Sequence, residues 1–388
     1  MYKIKTDDLN NSVLASNFLK KYKKRLREEI KGFLDGTEEF VFKRSVGTSN
    51  KKTFTFKVCA SPRSFTYQFL KECIDPNNTL LDDLLKGDLK KQIAIINRVR
   101  QNNPANLEKL TATKANHLGY ADGGEEDDFN TIMNEIFVKR SFEGKNVVKA
   151  LPLDKDDFVK KLGIRICPYC GRAYIYRVEK NGKDGIVSVK PQLDHFLPKS
   201  DYPFLGMNFY NLIPCCTQCN LAPCKVDNDP LDDTKQQVVH LMHPFKFDDK
   251  RVRFIYQINT PDTYTPESYD VMVGYDNREL KKGYNGFLAL DKLYAGHNVE
   301  VCNMFLRARA FKVATNGLYN GLGLGKVPAS LLAQAVLGFN LNGIEESRQL
   351  MYKFKKDTFL QMVGLNNAPT TSFYVDWNGK EIVVNVGC

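Results

Sequence analysis

The chain has 388 residues and a mass of 44.2 kDa, of which 43% are hydrophobic and 26% charged. That length predicts two or three domains and supplies enough apolar material for a core without disulfides. Wholesale disorder, collagen-like repeats and mini-protein scaffolds are excluded. No apolar run approaches the roughly 18 residues of a membrane span. Leu331 to Phe339 is among the longest and is broken by Gln334. The N-terminal stretch has no basic-then-apolar signal pattern, so a cytoplasmic protein is expected, with no membrane partner. In that reducing compartment the ten cysteines are expected to be thiols or metal ligands. The net charge of +11 attracts polyanions, nucleic acid first among them. The excess is uneven: residues 1–60 carry 14 basic against 7 acidic side chains, densest from Lys20 to Arg25.

In chain order, Val13, Leu14, Phe18, Leu19, Leu26, Ile30 and Leu34 recur near helical spacing and predict a helix over 11–34, stopped at Gly36. Its lysine cluster is either a solvated face or a phosphate-contacting one. Residues 39–59 predict a hairpin, and helices follow at 62–74 and 88–100. Ala121 to Asp128 is an acidic, glycine-containing loop without the fixed geometry of a metal site. A short helix over 153–162 delivers the chain to Cys167, after which short strands and cysteine-rich turns run to about 226. Helical patterns return after Tyr275 and again over 328–363. Asn378-Gly379 predicts the turn of a terminal hairpin. Three regions are expected: a basic helical or mixed region 1–150, a cysteine-framed core 151–245 and a mostly helical region 246–388.

Two Cys-x-x-Cys pairs stand out, Cys167/Cys170 and Cys216/Cys219, where random placement of ten cysteines gives about a quarter of one pair. A two-residue gap lets both thiolates of a knuckle face one ion, and two knuckles complete a tetrahedral sulfur site for structural Zn2+. A redox Cys-x-x-Cys would open a helix, whereas Gly171 and a strand-like run follow the first pair. Cys215 is an alternative to Cys216, and Cys224 is a competitor. The 45 residues between the pairs are too many for a simple zinc ribbon. They hold two strand-like runs ending at Asp194-His195, an irregular loop with Lys199, and Asn211 ahead of the second knuckle. Asn220 directly follows Cys219, and Lys225 lies five residues on.

The phrases CPYCG, QLDHFLPKS, NLIPCC and CTQCN with a later lysine, over about 60 residues, resemble the HNH endonucleases of the four-cysteine variety. The phrase HFLPKSDYP and its flanks are similar to HNH nucleases of bacterial anti-phage systems, the nuclease subunit of Septu-type systems included. The resemblance implies an α+β fold, in which a ββα-metal core buttressed by zinc is set between mostly helical flanks. It implies a metal-dependent endonuclease hydrolysing DNA. His195 matches the general base, and imidazole has a suitable pKa for that task. Asp194 and Asn220 match oxygen ligands of a catalytic Mg2+ or Mn2+. Asn211 matches the residue that hydrogen-bonds the histidine and fixes the loop. Lys199 and Lys225 are candidate phosphate contacts, and plain surface charge is the alternative for both. Lys225 departs from the family spacing, where a lysine is expected about three residues after Cys-Asn. His240 and His243 are read as core or edge-strand residues, with ligand or phosphate roles as the alternative.

One such site cuts one strand, so a homodimer or a partner assembly is expected for a double-strand break. A nuclease endangers its own chromosome, so regulation by a partner or trigger is expected. No phosphate-cradling Gly-rich loop occurs, so ATP dependence would require a separate ATPase. The competing class is an inactive, zinc-stabilised nucleic-acid-binding or adaptor protein. A thiol-redox enzyme is a third.

Overall fold

A computed structural model describes residues 1–4, 8–36, 40–46, 52–58, 60, 62–102, 125–126, 129–143, 153–175, 178–182, 185–189, 191–221, 224–225, 228–232, 237–238, 240–260, 265–313, 334–339, 349–363, 370–377 and 379–387. The N-terminal region contains α1 (Asp8–Leu34), the hairpin β1 (Phe40–Val46) and β2 (Lys52–Val58), then α2 (Phe65–Ile74), α3 (Leu80–Lys86) and α4 (Leu89–Asn102). A two-residue strand, β3 (Glu125–Glu126), pairs parallel to β2. It is the described part of the stretch read as an acidic loop; the rest of that loop, and His117, lie outside the described residues. Next comes α5 (Phe129–Met133), which widens into a π-helical segment, Asn134–Glu143.

The middle region holds α6 (Lys155–Leu162), the ribbon β4 (Val178–Gly182) and β5 (Gly185–Val189), then β6 (Gln192–His195), β7 (Leu212–Cys215) and the short helix α7 (Thr217–Asn220). Asp154 caps α6 by accepting from the Asp157 N–H at 3.0 Å, and Gly163 ends it at φ +66°. Two further two-residue strands, β8 (Leu231–Asp232) and β9 (Gln237–Val238), close this region.

Among its described residues, the C-terminal region adds a sheet to the helices expected there. Strands β10 (Val252–Ile258) and β11 (Tyr269–Tyr275) pair antiparallel. The terminal hairpin β12 (Thr370–Trp377) and β13 (Lys380–Gly387) extends them to a four-stranded sheet in the order β10-β11-β12-β13. Both unpredicted strands are rich in β-branched and aromatic residues, but their buried positions do not strictly alternate. The helices of this region are α8 (Arg278–Leu288), α9 (Leu290–Ala295), α10 (Asn298–Val313) and α11 (Tyr352–Val363).

One cluster of buried residues runs from Met1 through Cys219 to Phe354, so the chain on both sides of positions 150 and 245 shares a core. The loop between β6 and β7 is driven into it by aromatic side chains. Phe204 packs on Phe129 and Phe69 at ring separations of 5.8 and 6.3 Å, and Phe209 packs on Phe18 and Phe158 at 5.8 and 5.4 Å. Each fully buried phenylalanine contributes roughly 1.5–3 kcal/mol. Asn208 ties the loop to the N-terminal helices. Its amide donates to the Asp83 and Gly87 carbonyls at 3.2 and 3.1 Å, and its oxygen accepts from Gln92 at 2.9 Å.

The dense lysine cluster of α1 is a largely paired face. Lys23 meets Asp82 at 2.5 Å, Lys21 meets Asp157 at 3.9 Å and Arg25 meets Glu29 at 3.0 Å.

Candidate active site and four-cysteine centre

Each cysteine pair sits in a tight turn. In the first, the Gly171 N–H donates to the Cys167 carbonyl at 2.8 Å and the Cys167 N–H to the Ala173 carbonyl at 2.9 Å. Gly171 takes φ +70°, which a side chain rarely adopts. In the second, the Cys219 and Asn220 N–H groups both donate to the Cys216 carbonyl, at 3.1 and 3.2 Å. The four Sγ atoms of Cys167, Cys170, Cys216 and Cys219 lie within 4.8 Å of one another, and all four residues are buried. The Cys170–Cys216 separation is 3.9 Å. A tetrahedral zinc with bonds of 2.3 Å places its sulfurs about 3.8 Å apart, so this cluster fits a zinc ion. Without a cation, four buried thiols at such spacing could not ionise together. The geometry selects Cys216 over Cys215, which belongs to β7. It also excludes Cys224, whose Sγ lies 3.5 Å from the Leu288 carbonyl.

The two cysteine turns bracket β6 and β7, which pair antiparallel with Asp194 opposite Ile213 and His195 opposite Leu212. Alternation along β6 sends Asp194 and His195 to opposite sides. The His195 ring packs edge-on against Phe142 at 4.6 Å, and its Nε2 lies 3.0 Å from the Gly206 carbonyl. A carbonyl only accepts, so Nε2 carries the proton and Nδ1 is the acceptor. Burial pushes the imidazole pKa down to about 3, against the pull of the Gly206 carbonyl, so the ring is neutral near pH 7.

Asn211 is fully buried, and its side chain fastens the loop. Its oxygen accepts from the Leu197 N–H at 2.7 Å, and its amide donates to the Leu197 and Leu205 carbonyls at 3.1 and 3.3 Å. Loop fixing is therefore as expected. The expected hydrogen bond to the histidine is not made, because both amide hydrogens go to backbone carbonyls and the Gly206 carbonyl holds the ring instead. Gly206 has a steric reason to be glycine: a Cβ there would meet Val138 Cγ2 at 2.7 Å and the Pro203 carbonyl oxygen at 3.0 Å.

Asp194 is buried. Its Oδ2 accepts from the Tyr169 hydroxyl at 2.6 Å, and the Lys225 ammonium lies 3.2 Å from the same oxygen and 3.3 Å from Oδ1. Burial raises the carboxyl pKa, outweighing the opposing pull of Lys225 and Tyr169. Lys225 is no surface charge. It is fully buried and also donates to the His195 carbonyl at 2.8 Å, so it is already engaged where a phosphate contact was expected. The Lys225 N–H donates to the Cys219 carbonyl at 3.2 Å despite the longer spacing.

A cleft of about 580 Å³ brings Asp194, His195, Lys199 and Asn220 together, with Phe142, Lys155 and Gln192 also on its wall. Asn220 donates weakly to Gln192 at 3.5 Å, which leaves its carbonyl oxygen for an ion. An aspartate and a carboxamide oxygen on one cleft suit a hard divalent cation. Lys199 pairs with Glu143 at 2.6 Å and lies 5.3 Å from the Phe142 ring, which Lys155 approaches to 4.0 Å. Tyr169, Gly206, Phe142 and Lys155 were not singled out in the sequence. Only Tyr169 carried a signal, its place between two ligand cysteines.

The remaining histidines lie elsewhere. His243 Nε2 bonds the Tyr210 carbonyl at 3.0 Å and Nδ1 accepts from the Phe245 N–H, a core role. His240 faces Glu279 at 3.3 Å, and His297 accepts from Arg172 at 2.9 Å.

No protein-family model, curated protein or solved structure matches this chain. Among the described residues, no helix is long and apolar enough to cross a membrane.

Proposed function

We propose that the protein is a metal-dependent endonuclease of the HNH type, with β6, β7 and α7 as a ββα-metal core on a structural zinc. The observation that carries this reading is the state of His195. Its Nε2 is committed to Gly206, which leaves Nδ1 as the unprotonated acceptor, and His195 lines one cleft with Asp194 and Asn220. In this reading His195 takes a proton from the water that attacks a phosphodiester. Asp194 and Asn220 hold a Mg2+ or Mn2+ ion, which when bound stabilises negative charge on the phosphate and leaving oxygen. Asn211 and Gly206 fix the ring's position, and Lys199 at the rim steers the polyanion. DNA is the substrate, and anti-phage defence under the control of a partner, an ATPase or a second copy is the biological setting.

Plasmid DNA incubated with the purified protein is nicked with Mg2+ and left intact with EDTA. His195→Ala abolishes nicking while zinc content stays at the parent level. Equal cutting by His195→Ala would refute the mechanism.

One observation favours a second reading, an inactive zinc-stabilised binding protein: Asp194 is already paired with a buried ammonium. Binding of DNA without cleavage under any divalent ion would support it.

A further inference from the structure

Tyr169 lies inside the first cysteine turn, between two of the four sulfur ligands, and is 3% exposed. Its hydroxyl reaches out of that turn to Asp194 Oδ2 at 2.6 Å. A knuckle needs no hydroxyl at this position to bind zinc. Lys225 approaches the same carboxylate from the second knuckle, anchored by its own N–H on the Cys219 carbonyl at 3.2 Å. Asp194 is thus gripped from both cysteine turns. The two grips differ in kind. An ammonium holds the carboxylate but repels a second cation. A phenol orients the carboxylate and leaves its negative charge for an incoming ion.

We propose that Tyr169 is a positioning residue that transmits the order of the four-cysteine centre to Asp194 and so sets the affinity of the divalent-cation site. This rests on the endonuclease reading of Asp194. Loss of an outer hydrogen-bond partner of a metal ligand costs 10–100-fold in affinity. The structural centre and the cation site are therefore linked through the Tyr169 hydroxyl as well as through Lys225, rather than merely adjacent.

The test is a Mn2+ titration of the zinc-loaded full chain, followed by paramagnetic resonance of the free ion, on the parent, Tyr169→Phe and Asp194→Asn. Tyr169→Phe keeps parental zinc and binds Mn2+ about tenfold or more weakly, and Asp194→Asn loses the site. Parental Mn2+ affinity in Tyr169→Phe, with binding lost in Asp194→Asn, overturns the proposal and leaves the endonuclease reading standing. A parent that binds no Mn2+, or an Asp194→Asn variant that binds as well as the parent, overturns both. Should Tyr169→Phe not retain zinc, the parent decides. With ring-labelled carbon-13 tyrosine, one phenol resonance moves on Mg2+ saturation, and that movement is absent in Asp194→Asn. No such resonance overturns the proposal.

Discussion

The imidazole Nε2 of His195 donates to the carbonyl of Gly206 at 3.0 Å, so the ring's tautomer is set by the backbone of a loop eleven residues downstream. That carbonyl stands where it does because Gly206 abuts Val138 and the Pro203 carbonyl. Gly206→Ala forces its methyl into Val138 and displaces the loop. It is expected to lower nicking at least tenfold and to destabilise the chain by about 1–3 kcal/mol, the usual cost of overpacking. The combination with Val138→Ala relieves the nearer clash and recovers part of both losses, read by plasmid nicking and urea unfolding.

Lys225 and Asp194 form a buried ion pair. Removing one partner of such a pair costs about 3–5 kcal/mol, because the other is left as an uncompensated charge. Lys225→Met should lose that much in a denaturant melt, and Lys225→Met with Asp194→Asn should lose less than the two single changes added together. Strict additivity in the double-mutant cycle would show that the pair does not couple.

His243 is buried, and burial pushes its pKa down to about 3 from an unfolded value of about 6.5. The unfolded chain therefore binds the extra proton between these two values. The contribution of His243 to stability is fully present above pH 6.5 and is lost as pH falls toward 3, at about 1.4 kcal/mol per pH unit. His243→Leu removes that slope and leaves a constant offset from the lost hydrogen bonds with Tyr210 and Phe245. Melts of parent and variant between pH 6.5 and 4.5 should converge as the pH falls, and parallel curves would contradict the assignment.

Zinc analysis separates the cysteines. Cys170→Ser or Cys216→Ser should abolish bound zinc and lower the melting temperature, whereas Cys215→Ala and Cys224→Ala should keep parental zinc. Metal loss in Cys215→Ala with retention in Cys216→Ser would reassign the second knuckle.

The cysteine pairs, the α1 helix and both long hairpins were legible because each rests on local spacing or turn chemistry, whereas the grouping of Asp194, His195 and Asn220 was expected only from the family resemblance. Cys-x-x-Cys geometry is set within four residues, and Asn-Gly specifies a turn without distant help. The role of Lys225 was not legible. Whether a lysine faces solvent or a carboxylate 31 residues away depends on how β6 packs, which spacing does not encode. The His195 anchor was misassigned to Asn211 for the same reason, since any carbonyl along the loop could serve. Strands β10 and β11 escaped because buried and exposed positions do not alternate cleanly along them.

Asn208 has a consequence for engineering. Its side chain joins the β6–β7 loop to the carbonyls of Asp83 and Gly87, three residues before Asn211 clasps the same loop. A fragment trimmed to residues 151–245 would keep the four clustered cysteines and His195, yet strand this asparagine and strip Phe204 of Phe69 and Phe129 and Phe209 of Phe18. Unlike compact modules that can be spliced between hosts, this cysteine-framed unit is built to travel only with its N-terminal helices attached.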